Sequence, residues 1–518
     1  MPGHKDGYGV ISYEKYNHIP MFLKSLIVKP FALEISRKVI KMADNAIADQ
    51  NRILKELLEQ ASDTTFGQDH NFETIKNYED YTKAVPVRDY EDMRSYIDMI
   101  LQGNKNVLWP GTPKYLAKTS GTTSGVKYIP LTQESIKAQI NTSRSALLHY
   151  TATQNASLFD GKMIFISGSP ELSHSHAIPT GRLSGIVNHE IPSWVKGNQL
   201  PSYKTNCIED WEEKLDQIVE ETMDQNMTLI SGIPPWVQMY YERLLSITGK
   251  TTIKEIFPKL KLFVHGGVNY EPYKNVMDKM MGPGVDTLET YPASEGFIAF
   301  QNAVGDNSML LNTNAGLFFE FVDVDKIHEL SPSRLTLSEV KLDKDYAILI
   351  SSNAGLWSYN IGDVIRFTSL DPFKIRVSGR IKHFISAFGE HVISKEVEEA
   401  ISIISEELNL KIIDFTVAPQ VTTEESKLPY HEWFIEFDNT PEQLGIIELK
   451  LDDEISRQNI YYRDLIEGRV LQTLVIRPVR KNGFRDYMKS IGKLGGQNKI
   501  PRLTNDRSLA DALKTFLL

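Results

Sequence analysis

An α/β fold is predicted by the way short apolar runs alternate with helical patterns from about residue 160 onward. Residues 163–166, 229–230 and 260–264 read as strands, with 211–223 and 236–245 as the helices between them. Size is a second observation. A chain of 518 residues that is 41% hydrophobic can bury a large core, and that length divides into more than one domain. The third is a change of pattern after Ser378-Gly379-Arg380. There Val397, Ala400, Ile401 and Ile404 mark a helix, 415–418 and 433–437 strands, 455–466 a helix and 474–479 a strand. The expected organisation is a large N-terminal domain over residues 1–378, its first 18 residues a polar tail, and a smaller C-terminal α/β domain over 379–518.

Helices open the chain. Ile35, Val39, Met42 and Ala46 recur at helical spacing, as do Ile53, Leu54, Leu57, Leu58 and Ala61, ending near Gly67. Residues 90–101 form a further amphipathic pattern before the turn at Trp109-Pro110-Gly111, and Thr132-Gln133-Glu134-Ser135 starts another helix. Strands are expected at 288–291, 317–322, 335–340, 347–350 and 375–377, a β-rich portion dense enough to predict a second sheet or barrel. There is no internal repeat or low-complexity tract.

A net charge of −10 argues against a general nucleic-acid or acidic-membrane surface. Cys207 is the single cysteine, which excludes an internal disulfide framework and fits a reducing compartment. No run reaches the roughly 18 apolar residues of a membrane span, and the N-terminus carries no apolar core of the signal type. A cytoplasmic protein is expected.

Five short stretches carry chemistry. Thr119-Ser120-Gly121-Thr122-Thr123-Ser124-Gly125-Val126-Lys127 combines hydroxyls, glycines and a lysine, the composition of a loop that holds phosphates. It is not a Walker A loop, because Val126 separates Gly125 from Lys127 and Tyr128 follows. The loop is expected between an extended segment and the helix starting near Thr132. Val264-His265-Gly266-Gly267-Val268 follows an apolar strand, where ligands of open α/β sheets sit; His265 reads as a hydrogen-bonded structural histidine. Tyr291-Pro292-Ala293-Ser294-Glu295-Gly296 also ends a strand and offers an aromatic face, a hydroxyl and a hard carboxylate oxygen. In Ala354-Gly355-Leu356-Trp357-Ser358-Tyr359-Asn360-Ile361-Gly362-Asp363, Asp363 suits the two hydroxyls of a ribose, although Gly-Asp is also a common turn pair. Last comes the basic, glycine-rich Gly492-Lys493-Leu494-Gly495-Gly496-Gln497-Asn498-Lys499-Ile500-Pro501-Arg502.

In this order the five stretches resemble the adenylate-forming enzymes, and within them the auxin-responsive acyl acid-amido synthetases of the Gretchen Hagen family. The resemblance covers nearly the whole chain. It implies an adenylate-forming enzyme fold, a large α/β domain with a β-rich portion followed by a small, mobile C-terminal domain. It also implies an ATP- and Mg²⁺-dependent ligase that adenylates a carboxylic acid and transfers the acyl group to an amino acid. The residues carried over are Ser120, Gly121, Thr122, Thr123 and Lys127 on the phosphates, and Gly266, Gly267 and Tyr291 at the adenine. Ser294 joins the nucleotide site, Asp363 and Arg380 hold the ribose, Glu295 takes the metal, and Lys499 is the catalytic cation. Gly379-Arg380-Ile381-Lys382 resembles the hinge of acyl-CoA ligases, with Lys382 as pivot, so a CoA acceptor stays open as the alternative. Walls of the acyl pocket are expected within 160–240, where Trp194, Trp236, Tyr240 and Tyr241 occur, although helical aromatics are more often core. His174 and His176 lack a third ligand for a metal.

Overall fold

The computed structural model describes residues 24–120, 126–174, 177–191, 196–208, 210–267, 270–327, 329–380, 384–385, 392–420, 428–467, 471–493, 499–504 and 507–518. Its first helices, Lys24–Asp44 and Ala46–Ala61, follow the apolar spacing read from the sequence. Ala46–Ala61 buries Ala46, Ile53, Leu54, Leu57, Leu58 and Ala61 on one stripe. Gln50 lies on the same stripe, only 3% exposed. Its amide donates to the Thr313 and Leu317 carbonyls at 3.0 and 2.8 Å and accepts from the Phe319 N–H at 2.7 Å. A buried polar group satisfied on three sides docks this helix on the strand Leu317–Asp323. The helix Tyr90–Leu101 has the expected bounds, because Asp89 caps it and Asp92 completes a capping box.

Twelve strands form one sheet among the described residues. From one edge, Gln199–Leu200, Lys162–Phe165, Met227–Ser231, Leu262–Gly266 and Asp286–Ala293 run parallel. Gly296–Phe300 then turns back, and Met309–Leu311, Phe373–Arg380, Tyr359–Leu370, Asp345–Ser352, Leu317–Asp323 and Arg334–Leu335 continue antiparallel to the far edge. The expectation of a second sheet or barrel in the β-rich portion is corrected by this. The hairpin from Asp286–Ala293 to Gly296–Phe300 hands the parallel half on to the antiparallel half without a break. The parallel half is covered on both faces, as such sheets are. One face meets Trp236, Tyr240 and Tyr241 of the helix Pro234–Thr248, and the other meets the helices Lys24–Asp44 and Gln133–Thr153.

Three local expectations also change. The strand expected at 335–340 stops at Leu335, because the Thr336 N–H and hydroxyl turn the chain by bonding to Glu339 at 2.8 and 2.7 Å. The helix expected at 455–466 is two helices, Leu444–Gln458 and Ile460–Glu467. Asn459 breaks it by leaving the helical region, and its side-chain oxygen accepts from the Tyr462 N–H at 2.9 Å, as a cap does. Gly362-Asp363, open to a turn reading, lies inside the long strand Tyr359–Leu370.

Beyond the large sheet, Ile412–Gln420, Tyr430–Phe437 and Val475–Val479 make a three-stranded sheet with an apolar cluster of its own around Trp433, Val397 and Leu451. Among the described residues no helix is long and apolar enough to cross a membrane.

Glu320 and Arg334 join the antiparallel half to the helix Tyr78–Ala84. Their side chains, 0% and 4% exposed, pair at 3.1 Å. Glu320 also accepts from Tyr78 at 3.0 Å and Ser358 at 2.5 Å, while Arg334 donates to the Thr82 and Val85 carbonyls at 2.6 and 2.9 Å. Burial still pushes the Glu320 carboxyl above its ordinary range. Removing one member of such a pair strands the other charge. Arg334→Met is therefore expected to cost about 3–5 kcal/mol in denaturant unfolding at pH 7. The loss should shrink as the pH is lowered, because a protonated Glu320 strands no charge, and an unchanged unfolding midpoint in the variant would contradict this account.

Candidate functional site

The C-terminal ends of the parallel strands open on a cleft of about 1680 Å³, closed on its other side by residues from 394 onward. Gly266 and Gly267 end the strand Leu262–Gly266 at its rim. They are glycines for different reasons. A Cβ on Gly266 would lie 2.3 Å from the Thr290 carbonyl oxygen of the neighbouring strand. Gly267 has φ +79°, the left-handed region that side chains disfavour. A Cβ on Gly267 would point at the Lys499 amine, 3.5 Å away. The two stretches read separately in the sequence thus meet in one place.

Ser294 and Glu295 are the two-residue turn of the hairpin that joins the two halves of the sheet, and both line the cleft. Tyr291, three residues earlier, donates its hydroxyl to the Asp363 carboxylate. Asp363 is 6% exposed and reaches the cleft from the antiparallel half. Arg380 is its register partner on the adjoining strand, so the two residues paired in the sequence reading are cross-strand neighbours.

The phosphate-type loop differs from expectation in its setting. Tyr115–Ser120 and Val126–Leu131 pair as an antiparallel hairpin, with Ser120 opposite Val126 and Thr119 opposite Lys127. The helix follows the second strand, Gln133–Thr153, with Thr132 as its cap. A second strand separates loop and helix because 126–131 is an extended apolar run that pairs with 115–120 and buries Ile129 and Leu131. The helix N-terminus is therefore displaced from the loop by that strand. Lys127 and Thr119 line the cleft, and the Lys127 amine lies 5.4 Å from the centroid of the Tyr90 ring. Gly121, Thr122, Thr123 and Lys382 lie outside the described residues, as do Trp194 and His176; of Ser120 and Arg380 only the strand positions are described. Among the described residues no group of three or more metal-ligating side chains occurs.

Of the aromatics expected in an acyl pocket, Trp236 lines the cleft, whereas Tyr240 and Tyr241 are fully buried behind it. Ile140, Leu147, Met163, Phe165 and Leu183 add apolar wall. From the same side Arg144 of Gln133–Thr153 faces the cleft, its Nε without a hydrogen-bond partner among the described residues.

Two cleft residues depart from the sequence reading. His265 is buried, stacked on Tyr270 with ring centroids 4.1 Å apart, and its Nδ1 has no hydrogen-bond partner among the described residues. The structural histidine expected there is a buried, stacked one, and its Nδ1 is not the atom that a hydrogen bond holds among the described residues. Burial holds its pKa down at about 3, so the ring is neutral. Its register partner Glu289 was not singled out from the sequence. Burial, opposed by Arg376 and helped by Glu271, pushes this carboxyl up to about 7. A single Glu in a strand carries no signal of that kind, which arises only from what packs around it.

The two groups act on stability in opposite senses. His265, depressed when folded, resists a proton that the unfolded chain takes up below the ordinary histidine value of 6.5, so stability falls as pH drops from there toward about 3. Glu289, raised when folded, costs stability as pH rises from the ordinary glutamate value of 4.5 through about 7. Glu289→Gln is therefore expected to stabilise the fold by about 2 kcal/mol at pH 8 and by little at pH 4.5. Urea unfolding of both proteins at the two pH values checks this, and equal effects at both would contradict the burial of that carboxyl.

Comparison with known proteins matches the GH3 family N-terminal domain over residues 35–197 and 177–285, the GH3 family central domain over 310–380 and the GH3 family C-terminal domain over 395–508. The chain is 23% identical to the indole-3-acetic acid-amido synthetase GH3.15 of Arabidopsis thaliana, spanning 85% of this chain and 88% of that protein. It is 22% identical to the jasmonoyl–L-amino acid synthetase JAR4 of Nicotiana attenuata, over 89% of this chain and 92% of that one. The solved structure of the GH3.15 acyl acid amido synthetase shares its fold with a TM-score of 0.77 at 18% identity, covering 93% of this chain and 96% of the other.

Proposed function

The chain belongs to the GH3 family, and from that premise we propose that it is an ATP-dependent ligase that adenylates a carboxylic acid and passes the acyl group to an amino acid, forming an amide. The relatives just described are amido synthetases by name. The observation that carries the reading in this chain is the approach of the Lys499 amine to Gly267, inside a cleft also lined by Tyr291, Glu295 and Asp363.

A carboxylate is a poor acyl donor at neutral pH, and attack on the α-phosphate of ATP converts its oxygen into a good leaving group. Both partners are anions, so the site has to neutralise charge where they meet. Lys499 does so at the α-phosphate and the carboxylate oxygens. The hairpin loop with Ser120, Thr122 and Thr123 clasps the phosphates that leave as pyrophosphate, with Lys127 beside it. Tyr291 lies along the adenine against the Gly266-Gly267 backbone, and Asp363 and Arg380 hold the ribose. Arg144 and the apolar wall with Trp236 receive the acid.

The residues present fit Mg²⁺ bound as a nucleotide complex. One carboxylate, Glu295, stands at the tip of a tight turn in the cleft, with no cluster of further ligands among the described residues. Mg²⁺ is held in this way, by one or two carboxylates plus phosphate oxygens and water. When bound it supplies charge neutralisation on the phosphates.

In the second half-reaction the amine, after giving its extra proton to water, attacks the acyl carbonyl, a C–N bond forms, the C–O bond to phosphorus-bound oxygen breaks, a second amine proton passes to water, and AMP leaves. Lys499 has to withdraw before the acceptor enters. Residues 379–518 therefore act as a unit that pivots near Lys382.

A pyrophosphate-release screen of carboxylic acids, crossed with amino acids and CoA as acceptors, tests this reading. Pyrophosphate release that needs an acid, followed by amide formation with an amino acid, is expected; discharge by CoA alone would overturn the second half. Lys499→Ala should lower acid-dependent ATP–pyrophosphate exchange about 10²–10³-fold while ATP still binds. Ser120→Ala should weaken exchange without slowing discharge of a supplied acyl-adenylate, and equal loss in both steps would count against the loop's role.

A further inference from the structure

We propose that the hydrogen bond between Arg502 and Tyr273 positions Lys499 for the first half-reaction, by docking the C-terminal loop on the helix that follows the Gly-Gly turn. The proposal rests on Lys499 acting in adenylation, as argued above. Arg502 Nη2 donates to the Tyr273 hydroxyl at 3.0 Å. Tyr273 belongs to the helix Glu271–Met281, which begins four residues after Gly267. Lys499 precedes Arg502 by three residues. One short loop thus meets one turn-helix unit at two points, approaching Gly267 through Lys499 and bonding to Tyr273 through Arg502.

Arg502 is anchored on its own side. It pairs with Asp414, lies 3.8 Å from Glu398, and donates to the Phe415 carbonyl at 3.0 Å. Its guanidinium sits 4.3 Å from the centroid of the Phe415 ring. Those partners all belong to residues 398–415; among the described residues, Tyr273 is the side-chain partner of Arg502 that lies across the cleft. The planar fork of an arginine allows this, since one edge takes the carboxylates while another nitrogen reaches the phenol.

Another contact spanning the cleft, Arg485 to Glu212 at 3.5 Å, has side chains 40% and 26% exposed, and an exposed pair of that kind holds little. The Arg502–Tyr273 bond is shielded: Arg502 is 16% exposed at its side chain and Tyr273 8%. Burial pushes the Tyr273 hydroxyl up to about 12, so it meets the cation as a neutral acceptor. That choice of partner suits a contact that has to break. A carboxylate in place of Tyr273 would be left as a buried, unpaired charge when the loop withdraws, whereas a phenol is not.

The test is a double-mutant cycle on Tyr273→Phe and Lys499→Ala, read by ATP–pyrophosphate exchange with indole-3-acetate, or whichever acid of the screen releases most pyrophosphate. Phenylalanine keeps the ring packed and removes only the oxygen. Tyr273→Phe is expected to lower the exchange kcat about tenfold, the loss typical of a hydrogen bond to a charged group, with the KM for ATP within about twofold. In the Lys499→Ala background the same substitution should change the residual rate by less than about twofold, because it acts through Lys499. Discharge of a supplied acyl-adenylate by an amino acid should be unchanged or faster. An unchanged exchange rate in Tyr273→Phe, or an equal drop in both backgrounds, would overturn the proposal while leaving the function intact. Wild-type exchange in Lys499→Ala would overturn both.

Discussion

A carboxylate and a nucleoside triphosphate repel each other, and a protein that joins them has to hold both while their charges are balanced by groups fixed in advance. That constraint accounts for the way the cleft is assembled. The parallel half of the sheet ends in a turn whose backbone is bare, because Gly266 cannot carry a Cβ against the Thr290 carbonyl and Gly267 is left-handed. The antiparallel half brings Asp363, and the Tyr291 hydroxyl on its carboxylate ties the halves at the point where their strands change direction. A continuous sheet makes this registration stiff. Two separate sheets would have left the spacing between Gly267 and Asp363 to the packing of side chains.

The electrostatics of the strand ends follow the same logic. His265 and Glu289 stand side by side in register, and burial drives both toward neutrality, the imidazole downward and the carboxyl upward. A protonated histidine at this depth would attract a phosphate away from the turn, and an ionised glutamate would repel it. Their shared burial lowers the charge at the strand ends themselves, while Lys127, Glu295 and Lys499 are among the charged residues that line the cleft.

Short motifs were legible in the sequence because each depends on residues that lie next to one another. Gly-Gly after an apolar run, and a carboxylate just past a strand, are local patterns with local causes. The helix Tyr90–Leu101 could be bounded for the same reason, since Asp89 and Asp92 make its cap. What escaped depends on pairing between distant segments. Nothing in 309–377 says that its strands continue the sheet begun at 162, because that is decided by the hairpin at Ser294-Glu295. The run 126–131 was too close to the following helix to read as a strand without its partner 115–120. Asn459 interrupts a helical pattern with a side chain that competes for the backbone, a weak signal within otherwise strong periodicity. The Arg502–Tyr273 contact joins residues 229 apart in the chain, and no spacing rule reaches that far.

Lys127 and Lys499 both line the cleft, and the difference between their settings bears on which can serve a two-step reaction. Lys127 stands in a paired strand, opposite Thr119, with its amine over the Tyr90 ring. It moves only if the hairpin moves. On the reading proposed above, a cation fixed in that way serves the phosphates that leave as pyrophosphate in the first step and cannot be repositioned for the second. Lys499 is carried by a segment that packs with the small sheet: the Val417 N–H donates to the Arg502 carbonyl at 3.0 Å, and Leu503 belongs to the apolar cluster around Trp433. The contacts that stabilise its loop travel with it. On the reading proposed above, such a cation is presented for the attack on the α-phosphate and then taken away, which opens the acyl carbonyl to an amine.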